Sequence, residues 1–161
     1  MHVHLMQVHY AVAMSSELPE EALDAWRAFL TAHARVTRRI SRELTAEGLP
    51  DLGWYDLLWA LRRSPGARLR VNELAREVVL SPTAMSRFVD RAVAAGVVAR
   101  EPDPDDRRAQ LVVLTAEGRA LLRRMWPVYR RGIETHFAAH LGSDPPALTA
   151  LLRRIGDSAG Q

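Results

Sequence analysis

Cysteine is absent from the 161 residues, and every one of the 22 basic side chains is arginine. Without thiols the chain can form no disulfide, no thiolate metal site and no cysteine-based redox sensor. Aromatic residues are few, at 6%, so the position of each is informative. No apolar run approaches the ~18 residues of a membrane-spanning helix, and no membrane partner is expected. Glycine-rich phosphate loops, HExxH and GxSxG are all missing. The carboxylates fall in caps, turns and solvated faces, so neither an enzyme nor a cofactor is expected. The segment MHVHLMQVHYAVAM lacks the basic start and cleavage site of a signal peptide. A cytoplasmic protein fits these absences.

Hydrophobic residues make up 48% of the chain, enough for one compact domain with helical appendages. An arginine-only cation set is what a GC-rich coding sequence favours, so distribution says more than total. From Arg62 to Arg91 seven arginines face only Glu73, Glu77 and Asp90, a net +4. From Glu17 to Leu61 the balance is −3. A basic segment of this kind attracts phosphate and releases counterions on binding.

That segment contains the most legible element. Ser81 is an N-cap residue and Pro82 suits the first helical position. Met85, Phe88, Val89 and Ala92 recur at helical spacing and form one apolar face. Thr83, Ser86, Arg87, Asp90 and Arg91 occupy the other, and Gly96 ends the helix. Short polar groups mixed with arginines suit a helix that enters a DNA major groove. Upstream, Arg68–Val71 reads as a short strand and Asn72 as the cap of a helix over Glu73–Val78, separated from Ser81 by Val79 and Leu80. Helix, tight turn, helix is the helix-turn-helix arrangement, here without the glycine often found in the turn. Downstream, Val97-Val98, a turn rich in Pro, Asp and Arg, and the run Leu111–Leu114 predict a hairpin, and so a wing.

Long helices flank this unit. Over Pro19–Glu47, Leu23, Trp26, Leu30, His33, Ile40 and Leu44 form a continuous stripe with more apolar face than a small domain needs. A second helix is expected over Trp54–Arg63. Thr115 caps a further helix with Glu117 in its first turn, an apolar face running from Leu121 to Leu141, and Pro127 expected to kink it. Leu148, Leu151, Leu152 and Ile155 define a last short helix. The resulting division is 1–16 a leader, 17–50 an N-terminal dimerisation helix, 51–115 a winged helix-turn-helix lobe, and 116–161 C-terminal dimerisation helices. The fold class is mainly α with a small β-hairpin wing. His2, His4 and His9 are close enough in sequence for a metal site, but the plainer reading is a leader, and no metal site is assigned.

In this order the pieces resemble the MarR family of bacterial winged-helix regulators. Arg68–Gly96, RLRVNELAREVVLSPTAMSRFVDRAVAAG, resembles that family's helix-turn-helix. Val97–Gly118, VVAREPDPDDRRAQLVVLTAEG, resembles its wing, with Asp106, Arg108, Leu114, Thr115 and Gly118 in the places of an Asp-x-Arg element and a Leu-Thr pair followed by Gly. The likeness extends over roughly residues 18 to 156. It implies a homodimer with interlocked N- and C-terminal helices, whose recognition helices enter successive major grooves of a pseudo-palindrome about 34 Å apart. It also implies that the wing arginine, Arg108, reaches the minor groove, with Asp106 placed to orient it. The wing itself carries more acids than arginines, so its acids read as turn formers and arginine orienters.

Among the helix residues Thr83, Ser86 and Arg87 are base-edge candidates, Arg87 being the best suited to guanine. Arg91, a turn deeper, reaches phosphate or pairs in the neighbourhood of Asp90, and Ser81, Arg68 and Arg70 are phosphate candidates. The resemblance further implies a small aromatic or anionic effector between the dimer helices and the DNA-binding lobe, with Trp26, His33, Arg38, Trp54, Tyr55 and Trp59 as candidates. Plain core packing is the alternative for Trp26, Trp59 and His33. The resemblance implies a repressor whose partners are double-stranded DNA, a second copy of the chain and a small-molecule effector. The competing reading is a winged helix used only for protein–protein contact, which predicts no salt-dependent duplex binding.

Overall fold

A computed structural model of the chain describes residues 18–106 and 108–159. The expected leader and its histidines lie outside the described residues. Among the described residues the elements follow in the order α1 Glu20–Ala46, α2 Leu52–Arg63, β1 Arg68–Arg70, α3 Val71–Glu77, α4 Pro82–Ala94, β2 Val98–Pro102, β3 Gln110–Leu114, α5 Ala116–His136 and α6 Pro145–Ala159. Single 3-10 turns lie at Pro65–Ala67 and Ala138–His140. The chain divides into two compact units, one ending at Arg35 and the other beginning at Val36.

In the first unit α1 exposes Trp26, Phe29 and Leu30, with Trp26 at 54%. Trp26 stacks on Phe29 at 6.0 Å and Phe29 on His33 at 6.4 Å between ring centroids. The buried residues of α1, Ile40 and Leu44, belong to the second unit.

In the second unit the three antiparallel strands lie in the order β1-β3-β2. Arg68 pairs with Val113 and Arg70 with Leu111 on one side of β3; Val98 pairs with Leu114 and Pro102 with Gln110 on the other. The core gathers Leu57, Leu58 and Leu61 of α2, Leu74 of α3, Met85 and Val89 of α4, Val112 and Leu114 of β3, and Leu122 and Met125 of α5. Asp51 caps α2, its Oδ1 accepting from the Gly53 N–H at 3.0 Å. Gly132 lets α5 approach α1 closely, since a Cβ there would stand 2.7 Å from Ile40 Cγ1. Nearby, Arg131 pairs with Glu47, and His136 Nε2 lies 2.8 Å from Glu43 Oε1. The bond from His136, ahead of the opposing effect of burial, holds the Glu43 carboxyl below its ordinary pKa.

Two expectations need correction. The third helix begins at Val71, with Arg70 rather than Asn72 in the cap position. Glu73 reaches back to accept from the Arg70 N–H at 2.8 Å, which satisfies a free donor two residues before an Asn72 cap would. The helix after the wing ends at His136 instead of continuing to Leu141, and Phe137 to Leu141 turn through a 3-10 segment. Pro127 lies within the helix.

Candidate nucleic-acid interface

The recognition helix α4 is set by its own sequence. Ser81 Oγ accepts from the Ala84 N–H at 3.2 Å, and Pro82 occupies the first turn. Met85, Phe88, Val89 and Ala92 are buried, which turns Thr83, Arg87, Asp90 and Arg91 outward, all exposed, with Ser86 half-buried. The guanidinium of Arg91 lies 4.9 Å from the centroid of the Phe88 ring, a cation–π placement that uses part of its reach. The turn before α4 places Val79 at φ 55°, a region where β-branched residues are strained. Its side chain is 88% exposed.

The wing is held from three directions. Arg100 of β2 donates to Asp90 Oδ1 of α4 at 2.7 Å, linking hairpin to recognition helix. Arg68 lies 4.0 Å from Glu101. Arg70 Nε donates to Asp103 Oδ2 at 2.6 Å. Asp103 is only 4% exposed, and the Arg70 guanidinium, followed by the Asp105 N–H, holds its carboxyl below the usual carboxylate range. Arg70, expected as a phosphate anchor, therefore has its Nε committed within the fold. Sequence reasoning missed Asp103, because nothing local distinguishes it from its neighbours Asp105 and Asp106.

Arg108 is exposed at the far end of the wing turn. Asp106 was expected to bond its guanidinium; instead Asp106 Oδ1 accepts from the Arg108 backbone N–H at 3.0 Å. An aspartate two residues upstream meets the backbone first, because its short side chain closes a local turn. Orientation of Arg108 is thus fixed at its Cα and not at its head group.

The Leu-Thr and Gly pattern after the wing has a mechanical meaning. Thr115 Oγ1 donates to the Gly96 carbonyl at 2.8 Å and accepts from the Gly118 N–H at 3.1 Å. It thereby joins the end of α4 to the start of α5. Gly118 is buried against the Val97 carbonyl, where a side chain has no room.

Of the six effector candidates, Tyr55 and Trp59 line a groove of about 630 Å³ between α2 and α5, together with Asp56, Arg62, Leu122, Arg123, Trp126 and Tyr129. Tyr55 packs edge-on to Tyr129 at 4.6 Å, and Arg62 lies 5.7 Å from the Trp59 ring centroid. Burial raises the pKa of both tyrosines, and burial followed by the charge of Asp51 raises that of Asp56. Trp54 instead meets Phe88 edge-on at 5.4 Å. Trp26 and His33 lie in the first unit, and Arg38 is exposed on α1 in the second. Trp126 and Tyr129, three apart on α5, were legible as an apolar face but gave no sign of which groove they lined. Among the described residues no cluster of three metal-ligating side chains occurs, and no helix is long and apolar enough to cross a membrane.

A helix-turn-helix braced by a hairpin, with cations on the outward face of its second helix, defines a winged-helix DNA-binding protein. Residues 47–109 match the family model described as "MarR family". AbsC, a MarR family transcriptional regulator from Streptomyces coelicolor, is 30% identical with a TM-score of 0.78, covering 90% of this chain and 99% of AbsC. Sco3205 from the same organism, solved in complex with DNA, is also 30% identical with a TM-score of 0.79, covering 90% and 91%. The transcriptional repressor NicR of Pseudomonas putida is 34% identical over 86 residues, 53% of this chain and about half of NicR, at 54%. The chain belongs to the MarR family of transcriptional regulators, and it is a DNA-binding regulator, not an enzyme.

Proposed function

We propose that the chain acts as a homodimeric repressor on a pseudo-palindromic operator and is released by a small aromatic or anionic effector. The observation that carries this reading is the outward face of α4, with Thr83 and Arg87 exposed above a wholly apolar buried face, beside an exposed Arg108 on the wing. Thr83, Ser86 and Arg87 read base edges, Arg91 divides its reach between Phe88 and the duplex, and Arg108 probes the minor groove. Arg68 and the Ser81 hydroxyl, whose hydrogen remains available, meet phosphates. The exposed apolar face of α1 and that of α6, which buries none of its own residues, supply the dimer surface. NicR, a relative, is a transcriptional repressor. The groove suits an aromatic anion, with Tyr55, Trp59, Trp126 and Tyr129 as walls and Arg62 and Arg123 as cations.

The test is a binding titration on duplexes that the protein selects from a random pool. Arg87→Ala is expected to cost about 1–3 kcal/mol and to relax specificity at one base pair per half-site. Arg108→Ala is expected to weaken binding while leaving the thermal midpoint unchanged. Full affinity in both variants would refute the assignment.

A further inference from the structure

We infer that Asp103 is a positioning residue for DNA binding, acting through Arg70 to hold the wing turn that presents Arg108. The inference rests on the DNA-binding reading above and concerns residues whose side chains need never touch the duplex.

Pro102 with Gln110 is the last pair of the ladder, and past it the chain turns. Its internal order comes from a short network rooted in Asp103. The Asp103 N–H donates to the Ala109 carbonyl at 3.1 Å, and the Ala109 N–H donates to the Asp106 carbonyl at 2.9 Å. Asp103 Oδ1 accepts from the Asp105 N–H at 2.9 Å, leaving Oδ2 for Arg70. Both carboxylate oxygens are thus used, one inside the turn and one across to β1. Among the described residues Asp103 is the only buried polar or charged side chain. A buried carboxylate is tolerated only where such bonds satisfy it, so the turn has one favoured seat.

The other end of the link is equally fixed. Arg70 is the last residue of β1 and stands at the start of α3, its N–H bonded to Glu73 and its Cα paired with Leu111 of β3. The guanidinium therefore ties the wing turn to the first helix of the helix-turn-helix. A groove-probing arginine on a free turn would lose conformational entropy on binding; a pre-seated turn avoids most of that cost. With Nε given to Asp103, Arg70 contributes position in place of a phosphate contact.

The two roles separate in a double-mutant cycle measured on duplexes selected from a random pool by the full chain. Arg70→Gln and Asp103→Asn are made separately, each alone and combined with Arg108→Ala, and unfolding midpoints confirm which are folded. The expected result is a loss of roughly tenfold for either single variant, similar to that of Arg108→Ala, and little further loss in the combinations, because all act through Arg108. Losses that multiply overturn the inference and make Arg70 an independent contact. Tighter binding by Asp103→Asn, with a steeper salt dependence, overturns it as well, since a freed Arg70 would then be reaching phosphate. An Asp103→Asn variant that binds as the parent also overturns it. A parent protein that enriches no duplex defeats the DNA-binding reading first, a result distinguishable from all of these.

Discussion

Gly118→Ala tests whether the junction of recognition helix, wing and α5 is as tight as the geometry indicates. An added methyl would stand 2.7 Å from Leu114 Cδ1 and closer still to the Val97 carbonyl oxygen. Leu114 can rotate, but Val97 O accepts from the Thr115 N–H at 3.3 Å and cannot withdraw without parting β2 from the cap of α5. Overpacking of this kind costs about 1–3 kcal/mol, towards the upper end where backbone is the obstacle. Alanine returns at most about 1 kcal/mol through helix propensity. The net loss of roughly 1–2 kcal/mol corresponds to a fall of about 2–8 °C in the melting midpoint for a domain of this size. Gly156 is the control, being helical with no atom near its missing Cβ. Its alanine variant gains up to about 1 kcal/mol. Thermal unfolding followed by circular dichroism decides the matter. A Gly118→Ala midpoint equal to or above the parent's would refute the reasoning, and so would equal shifts at the two positions.

Val79→Gly relieves the positive φ of an exposed side chain and is expected to raise stability by up to about 1 kcal/mol; a loss in chemical denaturation would show that Val79 is unstrained. Ser81→Ala removes the cap of α4 and is expected to cost about 1 kcal/mol, an unchanged midpoint contradicting it. Glu43 has a lowered pKa in the folded state, so its contribution is present above the ordinary value of 4.5 and is lost as pH falls further through the folded value. Glu43→Gln should flatten that acid limb in pH-dependent denaturation; an unchanged limb counts against the His136 bond. Tyr55 and Tyr129 have raised values, so their contribution is intact below pH 10.0 and is lost as pH rises through the folded values. Ultraviolet titration of Tyr55→Phe and Tyr129→Phe variants against the parent should assign each tyrosine an ionisation above pH 10.0, and ionisation of either at or below that value would contradict its burial.

Local signals explain what could be read without a structure. Ser81, Pro82 and the spacing of Met85, Phe88, Val89 and Ala92 lie within four turns, and one helix satisfies them all. The strands of the wing lay where β-branched and apolar runs flank a proline-rich turn. Long-range facts stayed hidden. Arg70 and Asp103 are 33 residues apart, and either is unremarkable in its own surroundings. Trp54 and Tyr55, adjacent in sequence, point about 100° apart on a helix, so one meets Phe88 and the other the groove. The cap of α3 was misplaced because Asn72 and the Glu73 side chain offered competing starts, and only the sheet pairing of Arg70 favours the earlier one. Asp106 bonds backbone where a head-group contact was expected, a choice set by side-chain reach.

The most direct measurement of the central claim is selection by the purified chain from a pool of random duplexes, followed by sequencing. The expected product is an enriched inverted repeat with half-site centres about 10 base pairs apart, bound more weakly as salt rises. Recovery of no enriched sequence, or binding indifferent to salt, would contradict it.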